Sequence, residues 1–98
     1  MSAAVVALLA DPSVERDLAA AFEEEGVPLL VELRDGDALV LGREAARRSP
    51  LGLGIGGAAE ELVLVLDAWA ARPYLSAPAA TARRFGHSAA RITARRRV

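Results

Sequence analysis

Two uninterrupted apolar runs constrain the fold of this chain more than any other feature of its sequence. The first covers residues 3–10 and stops at Asp11-Pro12, and the second covers residues 62–66. A strand that carries no polar residue on either side of its pleat is buried on both faces, which requires helices above and below the sheet. The sequence therefore predicts an α/β domain built around central strands.

The rest of the chain alternates between helical and strand patterns. A first helix, with Ser13 as its N-cap and Gly26 as its stop, is predicted from an apolar stripe at helical spacing: Val14, Leu18, Ala21 and Phe22. The later predicted elements are a strand over residues 27–33, a helix over 38–48, strands over 51–57 and 62–66, an irregular segment over 69–78 and a helix over 88–95. This order, β-α-β-α-β-β-α, favours a layered α/β domain around a mostly parallel sheet.

Composition narrows the chemistry that the chain can perform. Its 98 residues are enough for one hydrophobic core, so residues 1–98 are predicted to form a single domain. There is no cysteine, which excludes disulfides, thiolate metal sites and cysteine nucleophiles. His87 is the one histidine, so a Ser-His-Asp triad has a single candidate base and a multi-histidine metal site has none. We therefore do not expect a self-contained enzyme.

The charge of the chain is unevenly distributed. Through residue 82 the sequence carries 13 acidic residues and 6 arginines, whereas residues 83–98 carry 6 arginines and no acid. An acidic body with a basic end favours contact with an anionic partner or with the acidic face of another subunit. No targeting segment is visible, and the opening apolar run is too short to span a membrane, so a cytoplasmic protein without membrane contact is expected.

A glycine motif and an acidic run are the two patterns that could carry chemistry. Gly52, Gly54 and Gly57 match the spacing of a dinucleotide-binding loop, but they lie in a predicted strand, so they are interpreted as sites of close backbone approach. Glu23, Glu24 and Glu25 form either a solvated face or the source of one ligand for a hard cation. In the second case the remaining ligands come from a partner or from water.

The basic end of the chain has equally ordinary interpretations. His87 is adjacent to Ser88 and is interpreted as a surface histidine at the start of a helix. The arginines at residues 95–97 could contact phosphate groups, but no RNA-binding motif accompanies them, and a solvated terminus or a protein contact is the simpler interpretation.

Four segments, in this order, resemble the small (β) subunit of the diol and glycerol dehydratase reactivating factor. They are the apolar first strand; EEEGVP at residues 23–28, similar to E-E-G-I-P in the family; AARRSPL at residues 45–51 leading into Gly54-Ile55, similar to A-A-x-x-S-P-L-x-x-G-I; and RRFGHSAARI at residues 83–92, similar to R-x-x-G-x-N-A-A-R-L. Together the four segments extend over nearly the whole chain.

The resemblance implies a fold and a function. The fold is a three-layer α/β/α sandwich with a small mixed, mostly parallel sheet, akin to anticodon-binding domains. The chain would be a noncatalytic subunit that binds a large actin-like ATPase subunit. In this family the large subunit exchanges its small partner for the β subunit of a cobalamin-dependent dehydratase, so that damaged cobalamin is released.

The resemblance also implies particular site residues. A glutamate of the E-E-G-I-P turn reaches a magnesium or calcium ion at the interface with the large subunit, which by position makes Glu24 the candidate ligand. The candidate residues of the partner interface are Glu23, Glu25, Gly86, His87 and Arg91. The chain is expected to have no cofactor of its own.

Two other classes of function compete with this interpretation. One is a subunit or fragment of the dehydratase itself, against which the length of 98 residues argues. The other is a small nucleic-acid-binding module that uses the arginines from residue 83 onward, against which the acidic body argues because it repels phosphate. On the leading interpretation no nucleic acid is bound, the isolated chain can form a homodimer, and the protein is cytoplasmic or associated with a microcompartment.

Overall fold

Five strands and three helices are found in the described part of the chain, residues 4–69 and 71–96 of a computed structural model. In chain order they are β1 (Val5–Leu9), α1 (Glu15–Glu25), β2 (Leu29–Leu33), α2 (Ala38–Arg48), β3 (Leu53–Gly57), β4 (Glu61–Leu66), β5 (Leu75–Pro78) and α3 (Ala82–Arg96). Ala3, in the predicted first strand, and Arg97, in the basic end, lie outside the described residues.

The strands form one mixed sheet in the order β2-β1-β3-β4-β5. Strand β1 pairs in parallel with β2 and β3, whereas β4 pairs antiparallel with β3 and β5. Four of the five strands therefore run in the same direction, and β4 is the reversed one. Every residue of β1 is buried, and so is every residue of β4 after Glu61, as their apolar runs predict.

Helices cover both faces of the sheet, which confirms the three-layer α/β/α architecture. Helix α2 packs on one face, where Leu41 and Ala45 meet Val6 and Leu8 of β1. Helices α1 and α3 pack on the other face, and the largest core cluster lies there, with Phe22 of α1 and Phe85 of α3 among its members. None of the described helices is long and apolar enough to cross a membrane.

The glycines of β3 allow α2 to lie directly on the sheet. A Cβ atom added at Gly54 would be 2.0 Å from the backbone nitrogen of Ala46, and one added at Gly56 would be 1.9 Å from the carbonyl oxygen of Ala38. Real Cβ atoms do not approach backbone atoms so closely, so only glycine fits these two positions. The interpretation of close backbone approach is therefore confirmed at Gly54, and Gly56 adds a second such position. It is wrong for Gly57, which meets only side chains, and for Gly52, which lies before β3 with a φ of +70° and meets no backbone atom within 4 Å.

Strands β2 and β3 each begin two residues later than predicted, and the structure differs more from the sequence-based prediction at three other places. The segment 69–78, predicted to be irregular, contains β5, which is an edge strand of the sheet. Pro78 is tolerated there because the outer side of an edge strand has no neighbouring strand that requires a backbone N–H. Helix α3 begins at Ala82 and not at residue 88, so it includes Gly86. Ser13 does not cap α1: the side chain of Asp11 accepts from the Ser13 backbone N–H and caps a short 3-10 turn that precedes the helix.

Candidate interaction site

The C-terminal end of α1 lies against the first turns of α3. The two helices approach closely where Gly86 meets Ala21: a Cβ atom added at Gly86 would be 2.7 Å from the Ala21 Cβ and 3.4 Å from the backbone oxygen of Leu18. Gly86 is therefore buried between the helices and acts within the chain. A contact between Gly86 and a partner stays a prediction.

This crossing brings three basic side chains to the acidic end of α1. Arg83, His87 and Arg91 follow one another at intervals of four residues in α3, so they share one face of the helix. Opposite them lie Glu24 and Glu25, in the last turn of α1. We call these five residues the α1–α3 charge ladder.

Each carboxylate of the ladder binds two basic side chains. Glu24 accepts from Arg83, through Nη2 and through Nε at 3.3 Å, and one of its oxygens lies 3.1 Å from His87 Nε2. Glu25 lies 2.7 Å from His87 Nδ1 and accepts from Arg91 Nε at 3.1 Å. His87 thus bridges the two carboxylates, and a ring protonated on both nitrogens has a donor for each of them.

These contacts favour the ionised form of both carboxylates. The hydrogen bond from Arg83 is the main cause that lowers the pKa of Glu24 below its ordinary value, and His87 adds to it. The hydrogen bond with His87 is the main cause that lowers the pKa of Glu25, with a further contribution from Arg91. The basic side chains also offset the unfavourable position of two negative charges at the C-terminal pole of α1.

The outer side chains of the ladder are on the surface, where ion pairs contribute little to stability. The side chains of Glu24 and Arg83 are each 48% exposed, and that of Arg91 is 64% exposed. Water and salt screen exposed ion pairs of this kind, so each one adds little to stability. These outer charges are accessible to solvent, whereas the side chains of Glu25 and His87 are only 22% and 27% exposed.

The structure brings most of the predicted site residues together. Glu24, Glu25, His87 and Arg91 belong to the ladder, whereas Glu23 faces a different surface, which it lines with Pro12, Glu15, Arg16, Ala19 and Ala20. Sequence reasoning missed Arg83, which binds the predicted metal ligand Glu24. The signal was present in the four-residue spacing of Arg83, His87 and Arg91, but a helix predicted to begin at residue 88 hides it.

The described residues do not form a metal site by themselves. Among the described residues, no group of three or more histidine, aspartate or glutamate side chains is placed to hold a metal ion. The Glu24 carboxylate is a hard oxygen donor at the surface, which suits magnesium or calcium. Any such ion therefore needs most of its ligands from outside this chain.

A surface cavity of about 600 Å³ lies beside the connection between β4 and β5. It is lined by Trp69, Ala71, Arg72, Pro73 and Tyr74, of which Trp69 and Tyr74 are largely exposed. This lining offers aromatic surface and a guanidinium group but no carboxylate or imidazole. An acid–base pair for catalysis is therefore missing from the described lining of this cavity.

The ladder predicts a specific loss of stability in acid. Because the pKa values of Glu24 and Glu25 are lowered by folding, their stabilising effect is present above the unfolded pKa, about 4.5, and is lost as the pH falls through the lower folded values. We expect Glu24→Gln/Glu25→Gln to show a smaller decrease in Tm than wild type below about pH 4.5. Circular dichroism melts across this range test it, with Glu23→Gln as control. An unchanged acid dependence in the double variant contradicts the assigned contacts.

The fold and the site together define a small α/β/α protein with a row of paired charges where α1 and α3 meet. The sequence profile of the family described as dehydratase medium subunit matches residues 3–97, so this chain belongs to that family. No curated protein sequence matches the chain significantly.

Two solved structures resemble the chain over nearly its whole length. One, a glycerol dehydratase reactivase, has 30% sequence identity and a TM-score of 0.82, covering 95% of this chain and 93% of that one. The other, a diol dehydratase-reactivating factor complexed with ADP and Mg²⁺, has 25% identity and a TM-score of 0.83, covering 96% of this chain and 94% of that one. These matches confirm the family resemblance and the fold inferred from the sequence.

Proposed function

We propose that this chain is the noncatalytic small subunit of a reactivating factor for a cobalamin-dependent diol or glycerol dehydratase. The observation that carries the proposal is the similarity to two reactivase structures, which covers at least 95% of this chain and at least 93% of each matched chain. ATPase activity then belongs to a large actin-like partner subunit. The ADP and Mg²⁺ in one of the two matched structures are consistent with a nucleotide site on such a partner.

The small subunit acts by occupying a surface of the large subunit. When an inactivated dehydratase is present, the large subunit exchanges this chain for the dehydratase β subunit, and the damaged cobalamin leaves. Such a role requires a surface complementary to the large subunit and no active site. The α1–α3 charge ladder supports this role, because it supplies a defined pattern of exposed charges on two rigid helices.

Within this proposal, Glu24 provides one ligand to a magnesium or calcium ion at the subunit interface. Its carboxylate is half exposed, and the described residues hold no other carboxylate or imidazole set that could complete the site. Such an ion would supply positive charge at the interface opposite the Glu24 carboxylate. The part of this chain is to present Glu24 from the end of α1, while Glu25 and His87 hold the end of α1 against α3.

Reactivation of an inactivated dehydratase tests this function. Dehydratase inactivated by glycerol is incubated with ATP, Mg²⁺, fresh cobalamin cofactor and either the large subunit, this chain or both. We expect activity to return only with both subunits, and ATP hydrolysis to depend on the large subunit alone. Recovery that is equally fast without this chain, or ATP hydrolysis by this chain alone, contradicts the proposal.

The second candidate is a medium subunit of the dehydratase itself, which the description of the matching family favours. A cobalamin titration of the isolated chain distinguishes the two candidates, since binding is expected only of a dehydratase subunit.

A nucleic-acid-binding role is less well supported, because Arg83 and Arg91 of the basic end are paired with Glu24 and Glu25. Homodimerisation and location in the cell stay predictions.

A further inference from the structure

The two edge strands of the described sheet differ in how well they are protected against pairing with another chain. Strand β5 is a four-residue strand that ends in Pro78, and short edge strands with proline resist such pairing. Strand β2, at the opposite edge, has five residues and contains neither proline nor glycine. Two of its side chains, Leu30 and Leu33, are each 55% exposed. The β2 edge is therefore the one that can accept a further strand.

The backbone groups on the outer side of β2 follow from its pairing with β1. The Arg34 N–H donates to the carbonyl oxygen of Leu9 at 2.9 Å, and the Val5 N–H donates to the carbonyl oxygen of Pro28 at 3.2 Å. Because the N–H and C=O groups of successive residues point to opposite sides of a strand, the even-numbered residues of β2 face β1. The residues that direct these groups outward are Leu29, Val31 and Leu33.

The charge on this edge is neutralised within the chain. Glu32 is the one ionisable residue of β2, and a charge in an edge strand normally repels the same strand of another molecule. Here Glu32 accepts two hydrogen bonds from Arg48, at 3.0 and 3.2 Å, and one from Arg34 at 3.1 Å. Arg34 in turn binds Glu44 of α2. Glu32 therefore does not prevent two β2 strands from lying side by side.

We infer that two copies of this chain pair through β2 in an antiparallel register centred on Val31, which joins their sheets into one. Val31 then lies opposite Val31 of the second copy, and Leu29 lies opposite Leu33. Each of these is a hydrogen-bonded pair of an antiparallel ladder, so the outward N–H and C=O groups of both strands find partners. Leu33 loses its exposure to water against Leu29 of the second copy.

The charges select this register over its neighbours. In the register centred on Val31, Glu32 lies opposite Leu30 of the second copy. A shift by two residues in one direction places Glu32 opposite Glu32, and like charges directly opposite are destabilising. A shift in the other direction leaves Leu33 beyond the end of the opposite β2 strand. The sequence of β2 is thus complementary to itself in one register, as a symmetric dimer requires.

Sedimentation equilibrium of the full chain, without any partner, tests the dimer. Pairing along one strand buries less than the roughly 1,600 Å² of a standard interface, so the dimer is expected to be weak and the series extends to about 1 mM protein. Leu33→Lys should raise the dissociation constant about tenfold or more, because a symmetric dimer loses the apolar pair twice and gains charge at the edge. Tyr74→Lys is the matched control, since Tyr74 is 52% exposed but lies outside β2, and it should leave the constant unchanged. Circular dichroism verifies that both variants are folded.

A disulfide test of the register is possible because the chain contains no cysteine. Val31→Cys brings two thiols together in a hydrogen-bonded pair with Cα atoms about 5.5 Å apart, a separation that a disulfide can bridge. Mild oxidation should therefore give a covalent dimer. Leu30→Cys is the matched control: Leu30 is the more exposed residue, but its two copies are diagonal neighbours, roughly 8 Å apart and too distant for a disulfide.

The outcomes separate this dimer from other uses of the β2 edge. A chain that stays monomeric throughout the series overturns the inference, as does a dimer that tolerates Leu33→Lys or crosslinks equally through both cysteine variants. A monomeric chain whose Leu33→Lys variant no longer binds the large subunit would assign the edge to that partner and also overturn it. The sedimentation and disulfide tests use this chain alone, so they can fail while the reactivation assay succeeds.

Discussion

Gly56→Ala is expected to be the most damaging conservative substitution in the protein. The added Cβ would lie 1.9 Å from the carbonyl oxygen of Ala38 and 2.3 Å from the backbone nitrogen of Gly42. These are backbone atoms of α2, so no side-chain rotation relieves the clash and the whole helix must move away from β3. We expect a loss of at least about 3 kcal/mol of unfolding free energy, or roughly 12 °C or more in Tm.

Gly57→Ala on the same strand is the matched control for this prediction. Its Cβ would meet the side-chain ends of Leu9 and Leu62, at 2.7 and 2.9 Å, and these methyl groups can rotate. Both variants replace glycine by alanine on β3, so thermal melts compare the loss of Tm from a backbone clash with the loss from a side-chain clash. We expect the larger loss in Gly56→Ala. A Gly56→Ala protein as stable as Gly57→Ala would show that α2 does not lie on β3 as described.

Glu24→Ala is expected to have the largest effect on the complex with the large subunit. In the proposed interface its carboxylate neutralises positive charge, and a charge left unpaired in an interface costs about 2 kcal/mol or more, which is roughly a thirtyfold loss of affinity. The isolated variant should keep nearly the wild-type Tm, because the pairs with Arg83 and His87 are exposed. Isothermal titration with the large subunit and Mg²⁺ measures the loss.

Glu23→Ala controls for the charge change, since Glu23 is the neighbouring carboxylate but faces away from the ladder. It should lose clearly less affinity than Glu24→Ala, because it does not belong to the ladder. Removing Mg²⁺ with a chelator should weaken the wild-type complex to the level of Glu24→Ala and leave that variant unaffected. Equal affinity of Glu24→Ala and wild type in Mg²⁺ would keep the subunit role and contradict the metal assignment.

The parts of the fold that were predictable are those with strong local patterns. Strands β1 and β4 are apolar at almost every position, and α2 lies between Asp37, which caps it, and the Ser49-Pro50 pair that ends it. Strand β5 was not predictable because it is a four-residue edge strand ending in proline, whose pairing with β4 depends on tertiary contacts. The start of α3 was missed because Gly86, a poor helix former, is retained for its fit against α1.

The site was predictable only in part, for a similar reason. The resemblance implied Glu24, Glu25, His87 and Arg91 as site residues but not the way in which they meet. Glu24 and Arg83 are 59 positions apart in the sequence, and they come together only because α1 and α3 pack on the same face of the sheet. A local sequence pattern does not predict this contact, because the predicted helix began at residue 88 and left Arg83 outside α3.

Sedimentation of this chain with the large actin-like subunit of a reactivating factor is the most direct test of the central claim. With ADP and Mg²⁺ present, we expect a stable complex of the two chains and no binding of cobalamin by the small chain. A large subunit that sediments without this chain under every nucleotide condition, while the isolated chain binds cobalamin, would contradict the account and identify a dehydratase subunit instead.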